Sequence, residues 1–417
     1  MKRFYSFFLG DNITNTLLVF LMSFSSVLTL VTGSVRLFIP NTYKIDVLFV
    51  YGLLGLLILL AIPQILRRVK VSNLLTISAT FCVFVASVFF RYHDTDLFMA
   101  VLPDIVIRCI PMFIVATTVK HYENLFAKLH MAAYVIVFAQ LGNVSVFNAG
   151  VLQATYSQYI AYLVLPATCI LVAAMFRRFN VADLIVSIIS IVFLLMTGAR
   201  GPVVVAISFI FAMICLMPMR KLKKISLGVV FVGAIVVVVL FYREIALFLI
   251  SVSEELNFST RIFQKILEGG FLDSSGRDAI TEHTLELIRQ HPMFGVGMLN
   301  ERVYIANSSN SFVDVEGFYP HNVFLELLVQ FGIPLGTILI ISLLALFGVQ
   351  PLLMRNVEKK RVFLLFLFIG FLPLFVSGSY LNSVNFYLLL GFSLNREKFS
   401  FRTRERIIYD KQDSEEL

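Results

Sequence analysis

Three side chains in this sequence combine the right type with an unusual local setting: two arginines suited to holding an anion and one histidine suited to moving a proton. Arg200 lies in Thr197-Gly198-Ala199-Arg200-Gly201-Pro202. The glycines allow close backbone approach and unusual φ angles, and Pro202 suits the first turn of a helix. A cation at that helix start is disfavoured unless an anion joins it; the alternative is an arginine snorkelling to lipid headgroups. Arg277 follows Asp273-Ser274-Ser275-Gly276 and opens a helical pattern that runs to Gln290 and is stopped by Pro292. Ser274 or Ser275 could cap it, and the free N–H groups beside Arg277 would make an anion site. The plainer reading is a capped surface helix with a solvated arginine. His321 stands in Phe318-Tyr319-Pro320-His321-Asn322, just before an apolar helix, with Glu326 on the following turns. An imidazole there can accept a proton near neutral pH, although a lone histidine at such a boundary is more often structural. Asn322 and Arg91 complete the candidate binding residues.

Other polar groups carry less. Asp94-Thr95-Asp96 has the DxD form of a metal site but reads as a solvated loop. Asp104 and Arg108 are spaced i, i+4 inside an apolar run and most simply pair with each other. The four cysteines, Cys82, Cys109, Cys169 and Cys215, all fall in apolar runs without CxxC or Cys/His spacing, so they read as small core residues rather than disulfides or zinc ligands. No P-loop, nucleophile elbow or HExxH motif is present. We expect neither a metal nor a cofactor.

The elements that must position these groups are membrane helices. The chain has 417 residues, 59% hydrophobic and 14% charged, with 42 Phe and no Trp, and a mean hydropathy of +0.88. A soluble domain of this size needs more charge. Continuous apolar runs near the length that crosses a hydrocarbon core recur from end to end. They predict an all-α, polytopic integral membrane protein of about 12 transmembrane helices, at roughly 15–38, 45–66, 71–90, 97–119, 126–147, 156–176, 181–198, 202–218, 225–250, 322–350, 362–380 and 381–394. The N-terminal run lacks the short apolar core and cleavage site of a signal peptide, so the first helix is expected to stay.

Most of the 34 Lys and Arg fall in alternate connections, which by the positive-inside rule puts both termini in the cytoplasm. The net charge of +8 follows from that bias and does not point to nucleic acid. The organisation expected is helices 1–9 over residues 1–250, a large extracytoplasmic loop over 251–320, helices 10–12 over 321–395 and a basic cytoplasmic tail over 396–417. Within the loop, Ile280, Thr284, Leu287 and Ile288 fall on one face, the pattern of a short amphipathic helix at the interface.

Four segments in order carry a resemblance. Thr197-Gly198-Ala199-Arg200-Gly201, Ser275-Gly276-Arg277, His291-Pro292-Met293-Phe294-Gly295-Val296-Gly297 and Pro320-His321-Asn322-Val323-Phe324-Leu325-Glu326, ending Phe331-Gly332-Ile333-Pro334-Leu335-Gly336, resemble the O-antigen ligase and polymerase superfamily of lipid-linked oligosaccharide transferases. The resemblance implies a metal-independent, inverting glycosyltransferase of a bacterial inner membrane. Its donor is a glycan on undecaprenyl diphosphate and its acceptor a glycolipid; a chain-length regulator and a flippase are further candidate partners. His321 matches the family's catalytic histidine, and Arg200 and Arg277 match arginines that hold the diphosphate. Polymerisation of O-antigen or capsular repeats is the leading expectation and ligation of the glycan to lipid A-core its near rival. A transporter or flippase for the same lipid is the alternative of another class, disfavoured because the charged motifs gather at one face rather than at the midplane.

Overall fold

A computed structural model of the chain describes residues 12–38, 45–88, 95–147, 158–197, 199–255, 260–268, 277–308 and 318–395. Among these residues every regular element is helical. The first helices are α1 (Asn12–Phe38), α2 (Ile45–Arg68) and α3 (Val71–Val88). Next come α4 (Thr95–Asp104) and α5 (Ile110–Thr118), joined by a π-helical turn, and then α6 (Tyr122–Phe147) and α7 (Gln158–Arg177). They are followed by α8 (Val181–Met196), α9 (Arg200–Leu216), α10 (Lys221–Leu240), α11 (Tyr242–Glu255) and α12 (Arg261–Leu267). The last group is α13 (Arg277–Gln290), α14 (Asn300–Ser308), α15 (Val323–Leu353), α16 (Val357–Phe366) and α17 (Val384–Leu394). Among the described residues seven stretches are long and apolar enough to cross a membrane, and α3, α8, α9 and α17 are shorter apolar helices. The chain is a multi-pass membrane protein.

The apolar runs are less continuous than their hydropathy suggests. The expected span 97–119 contains the π-turn Ile105–Cys109 between Pro103 and Pro111, because each proline removes a backbone donor. The expected span 225–250 breaks at Phe241 into α10 and α11. The expected span 362–380 leaves regular helix after Phe366, passing through a π-turn at Leu367–Phe371 and a 3-10 turn at Leu372–Phe375. Pro373 falls in that 3-10 turn, and Gly370 lies against the Asn385 backbone.

One packed core unites α1, α6, α7, α5 and α17, with Leu17, Leu21, Met112, Ile170 and Leu388 fully buried. Among the cysteines, Cys109 and Cys169 lie in the interior, whereas Cys82 and Cys215 are exposed; half of the expectation of core cysteines is therefore corrected. Helix α10 buries no residue at all. Its Val and Leu side chains can only be accommodated facing lipid.

A second, small core joins Leu287, Ile288 and Ile305 to Val296 and Val329. On α13, Thr284, Leu287 and Ile288 are buried while Glu282, Glu286 and Arg289 are exposed. Three main-chain hydrogen bonds fasten the 292–297 turn to α15: Val296 N to Val329 O at 2.8 Å, Gly297 N to Gln330 O at 3.0 Å and Ile333 N to Pro292 O at 2.7 Å. They are possible because α15 unwinds at Gly332, where φ is 78° and ψ 172°. That opening leaves carbonyls 329 and 330 to accept from outside the helix. A methyl at Gly332 would lie 2.5 Å from the Met293 carbonyl, and one at Gly295 2.5 Å from the Gln330 carbonyl. The two glycine motifs are thus the two sides of one close backbone contact.

Candidate active site

The start of α15 sets the geometry. Asn322 is its N-cap, the side-chain oxygen accepting from Phe324 N at 2.9 Å and Leu325 N at 3.4 Å, the arrangement that satisfies free N–H groups at a helix start. The amide oxygen is engaged in the cap, which makes Asn322 a residue that positions its neighbour. That neighbour, His321, has φ +52°, a left-handed conformation rare outside glycine and concentrated at functional sites. The turn sets its ring against Tyr319, centroids 4.2 Å apart and planes tilted by 52°. Tyr319 is held by its hydroxyl, which donates to Ser377 O at 2.5 Å.

His321 Nδ1 is buried without a hydrogen-bond partner. Burial, then the charge of Arg277, then that of Arg302 lower its pKa from 6.5 to about 4. The ring is therefore neutral near pH 7 and free to accept a proton. Two guanidinium groups lie close enough to act on it. Arg277, far from His321 along the chain, thus lies within electrostatic reach of its ring.

Arg302 was not singled out from the sequence. It sits on α14 with 1% of its side chain exposed. Its guanidinium lies over the Tyr319 ring, 5.2 Å from the centroid, and donates from Nη2 to Ser379 Oγ at 3.2 Å. Ser379 donates in turn to Glu326 Oε1 at 2.5 Å. Glu301 faces Arg302 at 3.8 Å and accepts from Gln330 Nε2 at 2.7 Å. Burial raises the Glu301 pKa to about 7, with Arg302 and the Gln330 hydrogen bond opposing that rise. Tyr319 is pushed up to about 12 by burial and by Glu326, so its hydroxyl stays protonated. The sequence signal for Arg302 was an adjacent Glu-Arg pair right after Gly295-Val296-Gly297; nothing in one dimension says that such a pair is buried.

Arg200 opens α9 and is half-buried. Its neighbour Gly201 packs against Tyr162 and Ser377, where a methyl would lie 2.7 Å from Tyr162 Oη. Tyr162 and Ser377 are themselves hydrogen-bonded. The Arg200 backbone therefore abuts the group that holds Tyr319, while the cations acting on His321 are Arg277 and Arg302. Arg91, Ser274 and Ser275 lie outside the described residues. Among the described residues no group of three or more His, Cys, Asp or Glu is placed to hold a metal ion.

Beside this cluster lies a cavity of about 520 Å³, lined by Arg302 and Tyr319 from the loop and by Tyr162, Ser377 and Ser379 from the bundle. The cavity reaches Ser25 and Arg108 within the membrane helices, while His321 and Arg277 are not among its lining residues. Residues 185–341, which include Arg200, Arg277, Arg302 and His321, match the family model described as O-antigen ligase. That match covers less than half of the chain and supports a likeness to the O-antigen ligase and polymerase superfamily. No curated protein and no solved structure matches the chain significantly.

Proposed function

We propose that the chain is an inverting, metal-independent glycosyltransferase of the bacterial inner membrane. It moves a glycan from undecaprenyl diphosphate to a sugar hydroxyl, extending O-antigen or capsular repeat units. The observation that carries this reading is the placement of His321, held at positive φ before α15 with its ring against Tyr319 and its buried Nδ1 without a hydrogen-bond partner, within the field of Arg277 and Arg302. Breaking a sugar–diphosphate bond builds negative charge on the leaving group. Guanidinium groups stabilise it through charge-assisted, bidentate hydrogen bonds, more strongly in a partly dry site. The acceptor hydroxyl loses its proton to His321 as it attacks the anomeric carbon from the opposite face, giving inversion. An arriving diphosphate also offsets the two cations, which raises the basicity of His321 when the acceptor needs it. Arg200, at the helix start beside Tyr162 and Ser377, serves as a further contact for the same anion.

Ligation to lipid A-core is the second reading, favoured by the description of the matching family. A deletion strain separates the two. Loss of a polymerase leaves lipid A-core bearing one repeat, whereas loss of a ligase leaves bare core and accumulated lipid-linked polymer. The chemistry itself is tested by His321→Ala, which should abolish product while the protein still inserts in the membrane. Wild-type activity in that variant would remove His321 from the mechanism. Glycan transfer by purified protein in detergent excludes a pure transporter.

A further inference from the structure

The Asp104–Arg108 pair has no part in the chemistry above, yet it lines the same cavity as Arg302 and Tyr319. It comes from the interrupted segment between Thr95 and Thr118, where the helix passes through its π-turn. Arg108 donates from Nη1 to Asp104 Oδ1 at 2.9 Å and from Nη2 to Ser25 Oγ at 2.9 Å, and its guanidinium lies over the Phe24 ring. The Asp104 side chain remains 42% exposed although it lies within a candidate span. Inside a membrane segment such a carboxylate is tolerated facing a wet cavity, and ionisable residues there mark ligand pathways.

The rest of the lining is mixed: tyrosine rings, hydroxyls and amides from Tyr159, Tyr162, Ser26, Ser383, Asn382 and Asn385 stand among apolar side chains such as Leu163, Ile369 and Leu374. Asn385 Oδ1 and Arg108 Nε are buried without a hydrogen-bond partner, an expensive state unless an occupant of the cavity repolarises the surroundings. A bare diphosphate does not suit this region, because Asp104 already neutralises Arg108 and would repel it. A carboxylate accepting from one hydroxyl beside donors for the next suits a neutral sugar ring, and tyrosine faces suit its C–H surface. The volume lies in the range of small-molecule sites.

We propose that Asp104, Arg108 and Asn382 form a saccharide subsite that takes a neutral pyranose unit bearing adjacent hydroxyls. The proposal rests on the glycosyltransferase reading and extends it to recognition of the glycan. The sugar arrives either as part of the donor or as the acceptor.

The test uses the full-length chain in detergent and two probes: bare undecaprenyl diphosphate, and the free oligosaccharide released by mild acid from the host's lipid-linked pool. Wild type binds both. Asp104→Asn weakens oligosaccharide binding roughly tenfold or more and Asn382→Ala about threefold, the ranges for a charged and a neutral hydrogen bond, and neither alters affinity for the bare lipid. If Asp104→Asn does not fold, Asn382→Ala carries the comparison. Failure of wild type to bind the oligosaccharide, or unchanged binding in the variants, overturns the subsite. Failure to bind the bare lipid instead overturns the glycosyltransferase reading, while the oligosaccharide arm still reads the subsite. Displacement of the oligosaccharide by glycan-bearing lipid identifies the donor as occupant; binding alongside that lipid identifies the acceptor.

Discussion

Replacing Arg277 by Gln should move the acidic limb of the pH–rate profile upwards. The pKa of His321 falls from 6.5 to about 4, a drop of about 2.5, with burial the largest cause, Arg277 the next and Arg302 the last. Arg277 cannot then account for more than half, so its removal raises the limb by at most about 1.2, or about 1.6 kcal/mol. The sign follows from charge: a nearby cation disfavours the protonated imidazole, and removing it lets the ring hold its proton to higher pH. The assay is kcat/KM for glycan transfer by purified protein between pH 3.5 and 8, because that ratio reports the free enzyme's base. Arg277→Gln also weakens donor binding, which lowers the whole curve without moving its midpoint. In the wild type, the kcat limb should lie above the kcat/KM limb, since bound diphosphate screens both arginines. An unmoved or lowered kcat/KM midpoint in Arg277→Gln would refute the idea that this guanidinium acts on the catalytic ring.

Arg302→Lys should lower kcat/KM by at least about tenfold, because a point charge cannot reproduce the planar fork that meets Ser379 and covers Tyr319; full activity would make Arg302 a packing residue. Glu301→Gln should flatten the pH dependence of thermal stability. Its folded pKa is raised to about 7, so the wild-type contribution is fully present below the unfolded value of 4.5 and is lost as pH rises through 7. Equal slopes for the two proteins in detergent melts would contradict the assignment. Gly332→Ala should destabilise by more than about 1 kcal/mol, through both its positive φ and the 2.5 Å approach to the Met293 carbonyl; an unchanged melting temperature would mean the contact is not as close as described. Transfer should survive chelators, and strict dependence on a divalent ion would contradict the metal-independent mechanism.

The membrane character of the chain was legible because hydropathy alone reports it. The amphipathic face of α13 was legible because Thr284, Leu287 and Ile288 repeat at helical spacing. The interruptions at 105–109, 241 and 367–375 were hidden inside runs whose apolar character never falters, since a π-turn or a break leaves hydropathy unchanged. His321 and Arg277 could be picked out by type and setting, but the electrostatic reach between them depends on how α13 folds onto α15. Arg302 and Glu301 escaped notice because charged residues in a loop look solvated. Their burial arises from the small core of Leu287, Ile305 and Val329, which is assembled from three separate segments. The glycines at 295 and 332 could be seen as motifs, whereas their face-to-face approach exists only in three dimensions.

The fastening of the 292–297 turn to the opened rung of α15 has a mechanical side. A long helix adjusts its tilt to the thickness of the lipid around it, and this one cannot lean without dragging the stitched loop, with Arg302, and the ring at 321 relative to Tyr162 and Ser377 in the bundle. Catalysis should therefore feel the acyl-chain length of its host bilayer, as a lever feels the position of its fulcrum. Vesicles of graded chain length would reveal an optimum thickness for turnover that detergent, which imposes no fixed thickness, erases.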